Sequence, residues 1–359
     1  MIYNFSAGPA VLPRCVLAEA AAQLADFEGR GSSILEMSHR SKVYEAVHLQ
    51  AMDLWRRIYG VPEEFEILFL QGGASTQFAM VPLNLIREGR SADYICTGNW
   101  SKKAIAEVQL LGKPFRIAGS SEDRDFSYIP AQDQFDLDGE AEYVHITTNN
   151  TIYGTQYASL PDTGDVCLVA DMSSDLLSRP LSWDRLGLTY GGAQKNAGIA
   201  GLTVVCVRRD LLDCTSAVPT MLQYATYART ESLYNTPPTF AIYMLNLVLR
   251  WLDAQGGLTE MDGRNRHKAD LIYQVIDQHD EFYCGRAEPG SRSLMNITFT
   301  LKNRDLEPSF LAGAEKNGLM SLVGHRAAGG IRASVYNAMP VEGCQALADF
   351  MRDFACGNG

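Results

Sequence analysis

Two rhythms of apolar and polar residues run along this chain. The first is the short apolar run. Ile67-Leu68-Phe69-Leu70, Tyr94-Ile95-Cys96-Thr97, Tyr143–Thr147, Val166–Ala170 and Leu202–Val207 are of this kind. Each is bounded by polar or glycine-rich residues, as expected of strands buried on both faces. The second is a helical period. It predicts helices over Val16–Phe27, Val43–Tyr59, from the end of the Gln71–Gln77 turn to Leu85, and over Ser101–Leu111. Pro13 can open the first of these, Gly29-Arg30-Gly31 stops it, and Gly112 ends the fourth. A helix or turn is expected around Trp183–Leu186, then a loop up to Lys195.

Further on, Pro237-Pro238 sets an extended entry into a helix over Phe240–Ala254. Gln255-Gly256-Gly257 then breaks the pattern, and a domain boundary is expected there. Beyond it the pattern predicts a helix (Leu258–Gln278), a strand (Ser293–Leu301), a helix (Leu306–Asn317), a strand (Ile331–Val335) and a last helix (Val341–Phe354). The first part is α/β with strands and helices alternating; the second is a smaller α+β unit.

Composition narrows the function. The chain has 359 residues, enough for two domains, and a net charge of −11 with a pI near 5.1. Such a balance argues against nucleic acid as a partner. No apolar run reaches membrane-spanning length, and the first residues show no signal-peptide pattern. The eight cysteines are scattered without a CxxC pair, which fits reduced thiols in the cytoplasm. The six histidines form no HExxH or other close ligand pair, so no metal is expected.

The polar residues of interest follow strand ends, the edge where open parallel sheets bind ligands. Lys195 sits among small residues in Gly191-Gly192-Ala193-Gln194-Lys195-Asn196-Ala197-Gly198. A lysine held off bulk solvent has a lowered pKa and can form a Schiff base. Asp171 ends an apolar strand, and pyridoxal phosphate needs such a pair: a lysine for its aldehyde and an acid for its ring nitrogen. Gln71-Gly72-Gly73-Ala74-Ser75 is a glycine-rich turn into a helix, a geometry that binds anions. Trp100 stands just past a strand end, where its plane could stack on a ring. Two His-Arg pairs, His39-Arg40 and His325-Arg326, and the strand residue Arg332 supply cations in an acidic chain. Each stretch alone also fits a plainer reading: a loop lysine, a helix-capping acid, a tight turn, a core tryptophan, a solvated basic loop.

Taken together these stretches resemble the phosphoserine aminotransferases, pyridoxal-phosphate enzymes of fold type I in the class V aminotransferase family. The resemblance runs nearly end to end. Its marks are Asn4-Phe5-Ser6-Ala7-Gly8-Pro9, Ser38-His39-Arg40, Ala170-Asp171-Met172-Ser173-Ser174, Gly192-Ala193-Gln194-Lys195-Asn196, Asn235-Thr236-Pro237-Pro238-Thr239, Gly324-His325-Arg326 and Ile331–Pro340. It implies a large, mainly parallel seven-stranded sheet domain over 14–255, and a smaller α+β domain made of 1–13 and 256–359.

The resemblance also implies roles. Lys195 carries the cofactor and moves the proton, and Asp171 holds the ring nitrogen. Trp100 stacks on the ring and Thr151 bonds its hydroxyl. Ala74, Ser75, Ser173 and Gln194 complete the cofactor site. Asn235 and Thr236 reach it from a neighbouring subunit, which implies a homodimer with shared sites. Arg332 clamps the substrate α-carboxylate, and His39, Arg40, His325 and Arg326 bind its distal anion. Some family members have arginine where this chain has Ser75, so the distal pocket here lacks that charge.

The implied reaction exchanges an amino group between glutamate and 3-phosphohydroxypyruvate, giving O-phospho-L-serine and 2-oxoglutarate for serine synthesis. The same pocket could take 3-hydroxy-2-oxo-4-phosphooxybutanoate for pyridoxine synthesis. Two rivals remain open. A cysteine desulfurase or selenocysteine lyase needs a nucleophilic cysteine on a mobile loop. The loop before Arg332 has none, and Cys344 lies in an expected helix. A non-catalytic cofactor carrier would need Lys195 but not Arg332 or the His-Arg pairs.

Overall fold

The computed structural model describes residues 1–213 and 218–358. The chain opens with a two-residue strand, β1 (Tyr3–Asn4), and helices α1 (Arg14–Gln23) and α2 (Lys42–Tyr59). The Ser41 hydroxyl caps α2 by accepting from the Tyr44 N–H, and Gly60 ends it in the left-handed conformation. Strand–helix units follow: β2 (Phe65–Gln71), α3 (Gly73–Leu85), β3 (Ala92–Cys96), α4 (Asn99–Leu110) and β4 (Phe115–Ser120). Next are β5 (Val144–Thr147), a small hairpin of β6 (Asn149–Asn150) and β7 (Thr155–Gln156), then β8 (Leu168–Asp171), β9 (Leu186–Gly192) and β10 (Leu202–Arg208).

The seven long strands of this region form one sheet in the order β2-β10-β9-β8-β5-β3-β4. β10 is antiparallel to both neighbours, and every other pairing is parallel. This is the mainly parallel seven-stranded sheet that was expected. Its two faces are covered by helices. Trp55 of α2 joins Ile67, Leu168 and Val204 on one face. Phe78 of α3 and Ala104 of α4 join Tyr94, Val169 and Val205 on the other.

Two strands of this sheet escaped the apolar pattern. β4 lies at the sheet edge and is only partly buried, so Arg116 and Gly119 sit in it without penalty. β9 was read as a turn and a loop because it contains three glycines, yet every residue in it is buried. The turn at Trp183–Leu186 exists, but it leads straight into this central strand. The glycines serve close packing instead of turning. A Cβ at Gly187 would stand 2.7 Å from Cys167 Sγ, and one at Gly191 would stand 3.2 Å from Ser173 Cα. Helix α1 is also shorter than expected: Phe27–Gly29 is a separate 3₁₀ turn with Glu28 in the left-handed region.

The chain continues with α5 (Tyr224–Ala228), α6 (Thr239–Ala254), α7 (Gly257–Gln278), β11 (Tyr283–Gly285), β12 (Asn296–Leu301), α8 (Glu307–Lys316), β13 (Leu319–Met320), β14 (Ile331–Ser334) and α9 (Val341–Asn358). Strands β11, β12 and β14 form an antiparallel sheet. Ile272 of α7 and Leu347 of α9 pack on it with Phe299 and Phe310, making a core separate from those of the large sheet. β1 pairs in parallel with β13, and Phe5 is buried in that same core. The N-terminal segment thus packs with the last third of the chain. Among the described residues no helix is long and apolar enough to cross a membrane.

Candidate active site

Parallel strands β5 and β8 end side by side, with Thr147 opposite Asp171, and Asp171 opposite Tyr190 of β9. Just beyond these ends lies a cavity whose wall includes Ala74, Trp100, Asp171, Ser173, Gln194 and Lys195. A larger groove of about 820 Å³ runs beneath the N-terminal segment beside Trp251 and Lys268, and it contains none of the expected site residues.

Lys195 stands in the short connection from β9 to β10. Ala193 N–H donates to Leu202 O, and the N–H groups of Ala197 and Gly198 both donate to Ala193 O, which tightens the turn. The Gln194 amide folds back over Gly192, to 2.4 Å from where a Cβ would be, so a side chain there would displace it. The Lys195 amine donates to Thr151 Oγ1 at 2.8 Å. Burial lowers it from the ordinary 10.5 to about 8; Asp171 opposes the shift and Arg332 adds to it.

Asp171 is buried. Its Oδ1 accepts from Ser173 N–H at 3.0 Å and Ser173 Oγ at 2.7 Å. Both bonds fall on one oxygen, while the carboxylate also faces the cavity. Burial pushes its pKa up, and Ser173 and Lys195 hold it down. A cationic N–H in the cavity would meet an acid already desolvated and oriented.

On the opposite wall, α3 begins at Gly73 after Gly72, whose φ is 99°. No side chain caps this helix. Its first amides, at Gly73, Ala74 and Ser75, border the cavity and suit an anion. Trp100 Nε1 and Thr147 Oγ1 are buried at the cavity without a partner among the described residues. An acid, an amine, an anion cradle and an aromatic plane around one space fit pyridoxal phosphate.

Beyond the cavity lie the cations. Arg332 is partly buried, which lowers its pKa; its opposing neighbour is the Tyr336 phenol, not a carboxylate. His325 Nδ1 accepts from Ala327 N–H at 3.2 Å, so its proton sits on Nε2. Burial lowers its pKa, with Arg332, Arg326 and Lys103 adding to the shift. The loop carrying His325 and Arg326 is braced by Arg286, which donates to Ala328 O at 3.1 Å and pairs with Asp125.

Besides Thr151 and the three cations just described, four more expected residues do not line this cavity. His39 is partly buried with an unpartnered Nε2, and Arg40 is exposed. Asn235 is partly buried and Thr236 is exposed; the Thr236 carbonyl accepts from Gln71 Nε2 at 3.0 Å. Other residues at the site had not been singled out. Gly8 packs on the Lys195 stem, and buried Asp175 accepts from Thr148 and Gln156. The Asn196 side chain accepts from Asn337 N–H at 2.9 Å. Asp175 follows Asp171 by one helical turn's spacing, a visible signal; Gly8, Asn196 and Asn337 lay within stretches that carry the resemblance but were given no role of their own.

The class-V aminotransferase model matches residues 2–347. The chain belongs to this family. Within it, a phosphoserine aminotransferase of Desulfosudis oleivorans is 55% identical over 100% of this chain and 99% of that protein. A solved phosphoserine aminotransferase from Bacillus circulans subsp. alkalophilus superposes with a TM-score of 0.97 at 49% identity, over 100% of this chain and 99% of that one. A pyridoxal-phosphate-bound phosphoserine aminotransferase from Trichomonas vaginalis has a TM-score of 0.93 at 39% identity, over 98% and 100% of the two chains. These similarities favour aminotransferase chemistry over the desulfurase alternative. Cys344 agrees, being buried in α9 with its thiol pushed up to about 12 by burial. A thiol so held is a poor nucleophile.

Proposed function

We propose that this class-V aminotransferase uses pyridoxal phosphate to move an amino group between glutamate and 3-phosphohydroxypyruvate, yielding O-phospho-L-serine and 2-oxoglutarate. The observation that carries this reading is one cavity holding Lys195 and Asp171, with His325, Arg326 and Arg332 beyond it. A full-length likeness to phosphoserine aminotransferases supports it.

When bound, pyridoxal phosphate supplies an aldehyde that condenses with amines and a ring that accepts electrons. The chain supplies the rest. Lys195, with its lowered basicity, would offer its amine to the aldehyde and could carry a proton at the substrate Cα. Asp171, turned by Ser173, would hold the ring nitrogen. The amides of Ala74 and Ser75, with Gln194, would hold the phosphate. Trp100 would cover the ring, and Thr151 would bond its hydroxyl. Arg332 forks onto the α-carboxylate that both substrates share. His325 and Arg326 take the distal anion.

In this reading the protein is a cytoplasmic homodimer. Asn235 and Thr236 do not line the cavity of their own chain and act in that of the partner, while His39 and Arg40 join His325 and Arg326 at the distal anion. Residues 14–255 form the cofactor-binding domain, and 1–13 with 256–359 form the smaller one. The separate core that holds Phe5 and β14 supports this division.

The test is amino transfer by purified, cofactor-loaded protein from glutamate, with phosphohydroxypyruvate and 3-hydroxy-2-oxo-4-phosphooxybutanoate offered in turn. Formation of phosphoserine and 2-oxoglutarate is expected. Sulfide release from cysteine, or no transfer, would overturn the reading.

A further inference from the structure

Arg286 follows β11 directly, and its side chain is only 18% exposed. Its backbone N–H donates to Thr298 O of β12 at 3.0 Å. One guanidinium nitrogen donates to Ala328 O at 3.1 Å, and another pairs with the Asp125 carboxylate. The guanidinium carbon lies 4.9 Å from the centre of the Tyr153 ring. One side chain therefore touches three segments: the loop before β14, the turn after β4, and the chain just past Thr151.

The turn after β4 presents its carboxylate by contacts that do not involve Arg286. Asp125 and Phe126 have φ of 50° and 59°, a left-handed pair unusual for residues with side chains. Phe126 is buried, with its ring 4.9 Å from that of Tyr153. Arg124 pairs with Glu288 at 2.9 Å, and Glu288 N–H donates to Ser127 O at 2.8 Å.

At the other end, the loop carrying the two cations is wound on His325. The Gly324 N–H donates to Gly330 O at 2.9 Å and closes the base of the loop. The His325 carbonyl accepts from Ala328 N–H at 2.8 Å and Gly329 N–H at 2.7 Å, while its ring accepts from Ala327 N–H. Ala328 is where this turn meets the large sheet's side of the molecule. It packs against the core that contains Phe126 and Tyr153, and its carbonyl takes Arg286.

We propose that Arg286, set by Asp125, is a positioning residue for the distal-anion pocket: it fixes the His325–Gly329 turn against the core of the large sheet and so favours substrates that carry a distal anion. The inference rests on reading His325 and Arg326 as ligands of that anion. Arginine suits the task, because its planar fork reaches two acceptors while its face lies on the Tyr153 ring. Asp125 balances its charge, so the pair acts on position and adds no net charge beside the substrate. A turn left unfixed would have to be ordered by the anion itself, and that ordering opposes binding.

The experiment uses the full-length, cofactor-loaded protein with saturating glutamate as amino donor. Phosphohydroxypyruvate is compared with pyruvate, which has the α-carboxylate but no distal anion. Arg286→Ala should raise KM for phosphohydroxypyruvate about three- to tenfold, as expected for one lost hydrogen bond, while its kcat and the kcat/KM for pyruvate stay within about twofold. Asp125→Asn keeps the shape and tolerates the left-handed backbone, and it should act the same way to a smaller extent. It carries the test where Arg286→Ala does not fold. Hydrogen exchange at residues 325–329 should quicken in Arg286→Ala. With Arg326→Ala already present, the further loss from Arg286→Ala should shrink, since the two act through one turn. Equal losses on both oxo acids, a fall in kcat alone, or losses that add in full with Arg326→Ala overturn the proposal. Arg326→Ala alone separates the two readings. If it affects both oxo acids alike, the reading of the distal pocket falls and this inference falls with it. If it discriminates between them and neither Arg286→Ala nor Asp125→Asn does, only the positioning role is lost.

Discussion

Gly8 rests directly on the stem of Lys195. A methyl group built on Gly8 would stand 3.5 Å from Lys195 Cγ and 3.6 Å from Cε, and the Gly8 φ is 143°. The space is tolerable, but the backbone conformation is one that residues with a side chain rarely adopt. Gly8→Ala should therefore cost about 1–3 kcal/mol through backbone strain. Urea unfolding measures it, and a loss below a few tenths of a kcal/mol would contradict this account. The same variant should slow cofactor capture by shifting the lysine stem.

The lowered pKa of Lys195 makes capture depend on pH. Only the neutral amine attacks an aldehyde, so the rate should rise with pH and reach half its plateau near about 8. The sign for stability follows. Between about 8 and the ordinary 10.5 the unfolded chain holds this proton more tightly than the folded one. In that window the lysine's contribution to stability of the cofactor-free protein should grow as pH rises. Lys195→Ala should abolish both the capture and this slope.

Asp171→Asn keeps the shape and the Ser173 bonds but loses the charge. A hydrogen bond to a charged group is worth about 1.5–3 kcal/mol, a factor of roughly 10–150. Transamination should fall by at least that much while thermal unfolding stays cooperative. Near-normal turnover in a folded variant would remove the aspartate from the mechanism.

Arg332 and Arg326 should separate by substrate. Both substrates carry an α-carboxylate, so Arg332→Ala should lower kcat/KM for glutamate and phosphohydroxypyruvate by similar factors. Losing one partner of a buried charge pair costs about 2–5 kcal/mol. A phosphate ester carries about −1.5 to −2, against −1 for the distal carboxylate of glutamate. Arg326→Ala should thus weaken phosphohydroxypyruvate more than glutamate. Single-turnover kinetics of each half-reaction decide this.

The proposed sharing of sites between subunits predicts rescue. A Lys195→Ala chain and a chain altered at Asn235 and Thr236 should each be inactive alone. Mixed dimers contain one intact site and should recover part of the activity. Verified hybrids with no recovery would assign these residues to their own chain's cavity.

Much of this was legible in the linear chain. Strand runs such as Ile67–Leu70 and Leu202–Val207 are apolar because both faces of the sheet are covered, and that leaves a mark in sequence. Lys195 among small residues and Asp171 at a strand end were legible for the same reason: close packing and a desolvated acid restrict what their neighbours can be. β9 was not legible, since its glycines answer to Cys167, Leu211 and Ser173, residues from other elements. The bonds from Lys195 to Thr151 and from Tyr336 to Ala7 were not legible either. Ala7 and Tyr336 are 329 positions apart, and a hydrogen bond between them imposes no period on the residues in between. Periodicity reports which face of an element is buried. Which buried hydroxyl turns toward which amine is decided only when the two ends of the chain are packed together.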